Sequence, residues 1–274
     1  MLLAVDLGNT NIKCGVFSGA QLRSTARTET RTDRSAEAYV AVLRELLSFH
    51  CIAANEIDGC VMASVVPSLT GVIEAAIERA FGCAPLLVGN GTDGDIPMLV
   101  DNPTEVGADR IVNAVAAREL FLRDANAAHS EQNTKRGVIV VDLGTATKLD
   151  CVSPRGEFLG GVIAPGVQIG LDALAARGAQ LRQVELVAPP RAIGKNTTHC
   201  VQSGVVYGHA ALIDGLIARL RAELAFDVDV VATGGLASVV APHTATLRRI
   251  EPDLTLQGLR ILYERKSGSA EHSA

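Results

Sequence analysis

Two stretches of this chain carry the same phrase. Asp6-Leu7-Gly8-Asn9-Thr10-Asn11-Ile12-Lys13 follows the first apolar run, and Asp142-Leu143-Gly144-Thr145-Ala146-Thr147-Lys148-Leu149-Asp150 follows another, half of the 274 residues further on. A buried strand that delivers an Asp into a Gly-Thr turn sets a carboxylate beside backbone N–H groups and a hydroxyl, which suit a cation and phosphate oxygens. One such turn is ordinary, because Asp, Gly, Asn and Thr end strands in any protein. Two at half-chain spacing, each restarting the same order of strands, imply a duplicated lobe. Facing one another, they would clamp a nucleotide.

The pattern around each turn supports the duplication. Residues 2–5 read as a buried strand, 12–17 as its hairpin partner and 21–30 as a third, more polar strand. Ser35 is placed to cap a helix over 36–47, whose Tyr39, Leu43, Leu46 and Leu47 recur at helical spacing. A strand over 57–66 ending at Pro67, a helix over 69–81 and a short strand over 85–88 complete the order βββαβα. The second half restarts with strands over 138–141, 148–153 and 157–163. Helical patterns over 167–176 and 200–224 follow, then a strand over 228–232 that runs into Thr233-Gly234-Gly235, a third candidate ligand loop. The expected fold is α/β, with lobes over 1–117 and 118–274. Residues 125–136 read as a polar connection and 266–274 as a frayed tail.

Composition narrows the class. Hydrophobic residues make up 48% of the chain but aromatics only 3%, so Val, Ile, Leu and Ala must fill the cores, as suits strands covered by helices. The net charge of −5 comes with no basic stripe interleaved with aromatics, so no nucleic-acid partner is expected. The apolar start is broken by Asp6 and lacks a basic flank, and no apolar stretch approaches the roughly 20 residues of a membrane span. A cytoplasmic protein without a membrane partner is expected. The six cysteines and six histidines show no metal-ligand spacing, and most of the cysteines are expected to be small buried hydrophobes.

Three further segments admit two readings each. In Gly107-Ala108-Asp109-Arg110, Asp109 is either a carboxylate favoured at a helix start or a proton acceptor for a substrate hydroxyl, with Arg110 holding an anionic group. Gly194-Lys195-Asn196-Thr197-Thr198 is either a capped loop before a long helix or an anion site on backbone N–H groups. Gly160-Gly161-Val162-Ile163-Ala164-Pro165-Gly166 has more glycine than a strand needs, which points to close approach by backbone or by a ligand.

The paired Asp-Gly-Thr turns with Ala232-Thr233-Gly234-Gly235 resemble the acetate and sugar kinase, Hsp70 and actin superfamily, whose two ribonuclease-H-like lobes hold ATP in the cleft between them. Within it, the order DLGNTNIK, GADR, DLGTAT, GGVIAPG, IGKNT and ATGGLA is similar to the type III pantothenate kinases, over residues 2 to about 263. The resemblance implies ATP-dependent phosphorylation of pantothenate, the first step of coenzyme A synthesis, by a homodimer. It implies ATP contacts from Asp6, Leu7, Gly8, Asn9, Thr10, Asn11, Ile12, Lys13 and Thr145, with Asp6 also serving magnesium. It makes Asp109 the proton acceptor, Gly107, Ala108, Asp109, Arg110 and Thr197 the pantothenate contacts, and Asp142 the carboxylate for potassium or ammonium. It turns Asn113 and its helix towards the partner subunit.

Two positions depart from the family pattern. Val100 stands where a Tyr is common, so one wall of the substrate pocket is expected to differ. Lys148 stands where a Thr is usual, as a solvated strand residue, as a phosphate contact or in place of the monovalent ion. These departures keep two other readings open: an accessory protein that retains the nucleotide clamp, and a kinase for another small hydroxylated acid.

Overall fold

The structure is a computed structural model that describes residues 1–89, 96–122, 136–178 and 184–271. Its first strand, β1 (Leu2–Leu7), is the centre of a five-stranded sheet in the order β3-β2-β1-β4-β5. β2 (Asn11–Ser18) runs antiparallel to β1 on one side, and β3 (Gln21–Glu29) antiparallel to β2 beyond it. β4 (Gly59–Ser64) and β5 (Leu86–Val88) continue the sheet in parallel on the other side. Helix α1 (Ala36–Phe49), capped by Ser35 Oγ accepting from Ala38 N, and helix α2 (Pro67–Phe81) cover one face. There Leu3, Val5, Leu7, Ile12, Cys14 and Met62 pack against Tyr39, Leu43, Ile73 and Ile77.

A second sheet repeats the plan. β6 (Gly137–Leu143) lies between antiparallel β7 (Ala146–Val152) and parallel β9 (Val228–Thr233), flanked by β8 (Phe158–Pro165) and the two-residue β10 (Arg249–Ile250). Read from β8, the order is that of the first sheet, which is the duplication the repeated phrase predicts, and each unit is the ribonuclease-H-like lobe that the resemblance implies. The repeat extends to irregularities. Asp6 faces Lys13 and Asp142 faces Lys148, and a bulge follows three residues later in both, at Val16/Phe17 and at Cys151/Val152. Helices α4 (Val167–Arg177) and α5 (Thr197–Glu223), with the short α6 (Ala237–Val240), cover the face that carries Ile139, Val141, Leu149 and Cys151.

The units differ from the expected lobes at the C-terminus. One is Met1–Ala116 with Leu254–Ala274, and the other is Ala117–Asp253. Helix α7 (Leu254–Glu271) belongs with the first sheet rather than the second, and it takes in residues 266–271 of the expected frayed tail, the rest of which lies outside the described residues. It lies against the face of β1, β2 and β4 opposite α1 and α2. An added Cβ at Gly59 would stand 2.2 Å from Tyr263 Oη, and one at Gly258 would stand 2.1 Å from the Val112 carbonyl oxygen, a backbone approach that only glycine permits. Val112 lies on α3 (Ala108–Ala117), which runs on as a π-helical turn at Arg118–Leu122. The polar connection at 125–136 lies outside the described residues except for Arg136.

Two composition-based expectations also change. By length and composition α5 is apolar enough to cross a membrane, contrary to the expectation that no stretch is. Its Ala210, Ile213 and Ile217 are instead packed into the second core. Of the six cysteines, all thiols, only Cys14, Cys60 and Cys151 are buried, while Cys51 and Cys200 are exposed. Burial pushes the Cys14 and Cys151 thiols up to about 12, which leaves them unreactive at neutral pH.

Candidate functional site

In the first unit the candidate residues gather at the carboxyl ends of the parallel strands β1 and β4, where open α/β sheets bind ligands. β1 delivers Asp6, half-buried, on the face opposite α1 and α2, and the chain then turns through Gly8, Asn9 and Thr10. Gly8 N donates to Asn11 O at 3.1 Å and Thr30 Oγ1 donates to Gly8 O at 2.7 Å, which fixes the loop from both sides. Asn9 and Thr10 are exposed at the tip. Leu7 and Ile12 are not available as side-chain contacts, because alternation along the strands turns both into the core at 0% and 1% exposure. Only their backbone can serve a ligand.

The Gly107–Arg110 segment reaches the same edge. Val65 N donates to Leu7 O at 3.0 Å, and an added Cβ at Gly107 would stand 3.7 Å from Val65 Cγ1. Asp109 and Arg110 are half-buried in the first turn of α3, while Ala108 is fully buried, so its side chain cannot line a pocket. Asp109 Oδ1 accepts from Arg110 N at 2.8 Å, which locks the carboxylate to the helix start. The helix-start reading of Asp109 therefore holds, and it is what would aim the carboxylate for chemistry. Asn113, expected to face a partner, is 1% exposed within its own chain and accepts from Thr255 Oγ1 at 2.8 Å. Its buried Nδ2 has no hydrogen-bond partner among the described residues.

In the second unit, three loops converge on Asp142. Gly144 N donates to Ala146 O at 3.1 Å, closing a turn one residue shorter than the first, with Thr145 exposed at its tip. The glycines of the Gly160–Gly166 segment serve backbone approach: an added Cβ at Gly166 would stand 2.1 Å from Thr145 O. Gly234, at φ +92°, ends β9 against the same turn, with Leu236 N donating to Leu143 O at 3.1 Å. Lys148 is not the solvated residue of the first alternative. Its Nζ lies 2.8 Å from Asp142 Oδ2, and the two side chains are 14% and 15% exposed.

Thr147 points to the opposite face of β7, where its Oγ1 lies 2.8 Å from His209 Nε2 on α5. His209 drew no role from its spacing, and burial holds its imidazole below the ordinary pKa. Thr197 is the exposed first residue of α5, after Asn196, whose Oδ1 accepts from His199 N at 2.8 Å. The segment is thus a capped helix start, with Cys200 N also donating to Asn196 O at 3.0 Å.

Asp6 suits magnesium held jointly with a nucleotide: a hard carboxylate oxygen beside an N–H turn, where one or two carboxylates plus phosphates are usual. Among the described residues no group of three or more His, Cys, Asp or Glu could hold a metal by itself.

A family profile described as type III pantothenate kinase matches residues 2–219. Type III pantothenate kinases of Moorella thermoacetica and Myxococcus xanthus are 47% and 46% identical to this chain, over 97% and 98% of it and all of each relative. Among solved structures, a chain from Campylobacter jejuni described as a Baf family transcriptional activator aligns with a TM-score of 0.57 at 16% identity, over 97% of this chain and 99% of that one. Another from Sinorhizobium meliloti, described as a 2-dehydro-3-deoxygalactonokinase, aligns with a TM-score of 0.55 at 13% identity, over 97% and 96%. At such identities these structures speak to the fold alone.

Proposed function

This chain belongs to the type III pantothenate kinase family, and from that premise we propose that it transfers the γ-phosphoryl group of ATP to the primary hydroxyl of pantothenate, giving 4′-phosphopantothenate and ADP. One observation carries the assignment of roles: Asp109 is locked at the start of α3 beside the strand end that presents Asp6. As the new O–P bond forms and the bond from the γ-phosphorus to the bridging oxygen breaks, Asp109 takes the hydroxyl proton. Arg110 would pair with the pantothenate carboxylate, its planar fork matching two oxygens, and Gly107 and Thr197 complete that contact set.

The remaining residues hold the nucleotide. Phosphoryl transfer through a loose transition state asks for position and charge neutralisation rather than covalent help. The tip of the first turn at Asn9 and Thr10, Lys13 and the Thr145 hydroxyl supply donors to the phosphates. Asp6 would hold magnesium, which when bound neutralises phosphate charge. We further propose a cytoplasmic homodimer. The exposed Ile163, Ile169, Leu174, Val187, Ile193 and Leu212 of the second unit are apolar side chains that a partner subunit would cover.

The test is ADP release by purified protein with ATP and magnesium, with pantothenate set against a panel of small hydroxylated acids. Turnover dependent on pantothenate is expected. No turnover with pantothenate, with phosphorylation of another alcohol, would contradict the assignment.

A further inference from the structure

Lys148 stands at the carboxylate to which the resemblance assigns potassium or ammonium, and the residues present do not fit such an ion. The Lys148 ammonium already holds Asp142 Oδ2 at 2.8 Å. The other oxygen, Oδ1, faces Gly234 and Gly144, whose added Cβ atoms would stand 2.6 and 3.6 Å from it. An ion on Oδ2 must displace the ammonium, and one on Oδ1 would stand beside it with like charge. With only 14% of the Lys148 side chain exposed, the displaced head would lose its partner without regaining full hydration.

The pairing is written into the fold. Lys148 lies directly across the antiparallel β6–β7 ladder from Asp142, where opposite charges on one face attract. Lys13 holds the same register position opposite Asp6, so the second lobe repeats the first. An ammonium is a compact point charge of the same sign as a monovalent ion, and this one is delivered by the strand.

We infer that Lys148 is the built-in cation of the second loop, neutralising Asp142 and orienting the Gly144–Thr145 turn, so that phosphoryl transfer needs no monovalent ion from solution. This rests on the pantothenate kinase reading. The test compares pantothenate-dependent ADP release in choline chloride, potassium chloride and ammonium chloride at one ionic strength and fixed magnesium. The wild-type enzyme is expected to be equally active in all three salts. Lys148→Ala opens space beside Asp142; it should lose roughly 10²-fold in kcat in choline chloride and recover in potassium chloride. Lys148→Met keeps the stem without the charge and should stay slow in every salt.

A second readout needs no turnover. Potassium in place of choline should raise the unfolding temperature of Lys148→Ala and leave that of the wild type unchanged. A wild-type enzyme that is inactive in choline chloride and activated by potassium overturns the inference but leaves the kinase reading standing. No pantothenate turnover in any salt defeats that reading instead. The unfolding comparison then decides the point, since a potassium-induced shift in the wild type would show that Lys148 does not keep the ion out. The wild-type measurements stand even if neither variant folds.

Discussion

Thr147 and Lys148 are neighbours on one strand that serve opposite faces of it. Lys148 meets Asp142 on the face that carries the loops, and Thr147 meets His209 on the face covered by α5. The alternation is legible in the sequence, but the partners are not. A lysine in a strand reads as solvated until the register places a carboxylate across from it, and a lone histidine mid-helix gives no spacing to interpret. The His209 bond has a consequence for pH. Burial keeps the folded imidazole neutral below its ordinary range. The unfolded chain therefore takes up a proton near pH 6.5 that the folded chain refuses. Stability is full above that pH and falls as the pH drops through it. The urea midpoint should decrease from pH 7.5 to 5.5, and His209→Gln should decrease less over the same interval. An identical decrease in the variant would mean that other groups carry the effect.

At the scale of elements, β1, β2, α1, α2 and β4 lie close to where periodicity and turn residues put them, since each has one covered face or a continuous apolar run. Helix α7 was missed for a physical reason. Leu254, Leu256, Leu259 and Leu262 are nearly inaccessible and even Arg260 is 8% exposed, because the helix is covered by the sheet and by α3. A helix buried on several sides has no single apolar stripe. Its contact with α3 gives a sharp test. Gly258→Ala would press a methyl group into the Val112 carbonyl and should cost about 1–3 kcal/mol, as overpacking does. Gly71→Ala, at an exposed position of α2 with nothing within 4 Å, should instead gain about 0.5–1 kcal/mol from helix propensity. Denaturant titration of both variants checks the pair, and equal effects would deny that α7 is tightly seated.

For the whole molecule, the repeated phrase did specify a repeated fold, down to a matching bulge in each sheet. The two copies are not equal. The first turn is one residue longer, with Asn9 and Thr10 at its tip, whereas the second is packed under Gly166 and Gly234 with its carboxylate already neutralised. The chain also returns to its first unit at Leu254, which sequence order cannot reveal. In the proposed reaction the base is Asp109, set by α3 beside the first turn. Its removal as a base is the most direct trial of the account: ATP affinity and pantothenate turnover measured together for the wild type and Asp109→Asn. The expected result is unchanged ATP binding with kcat lowered about 10²–10⁴-fold. Turnover near that of the wild type would contradict it.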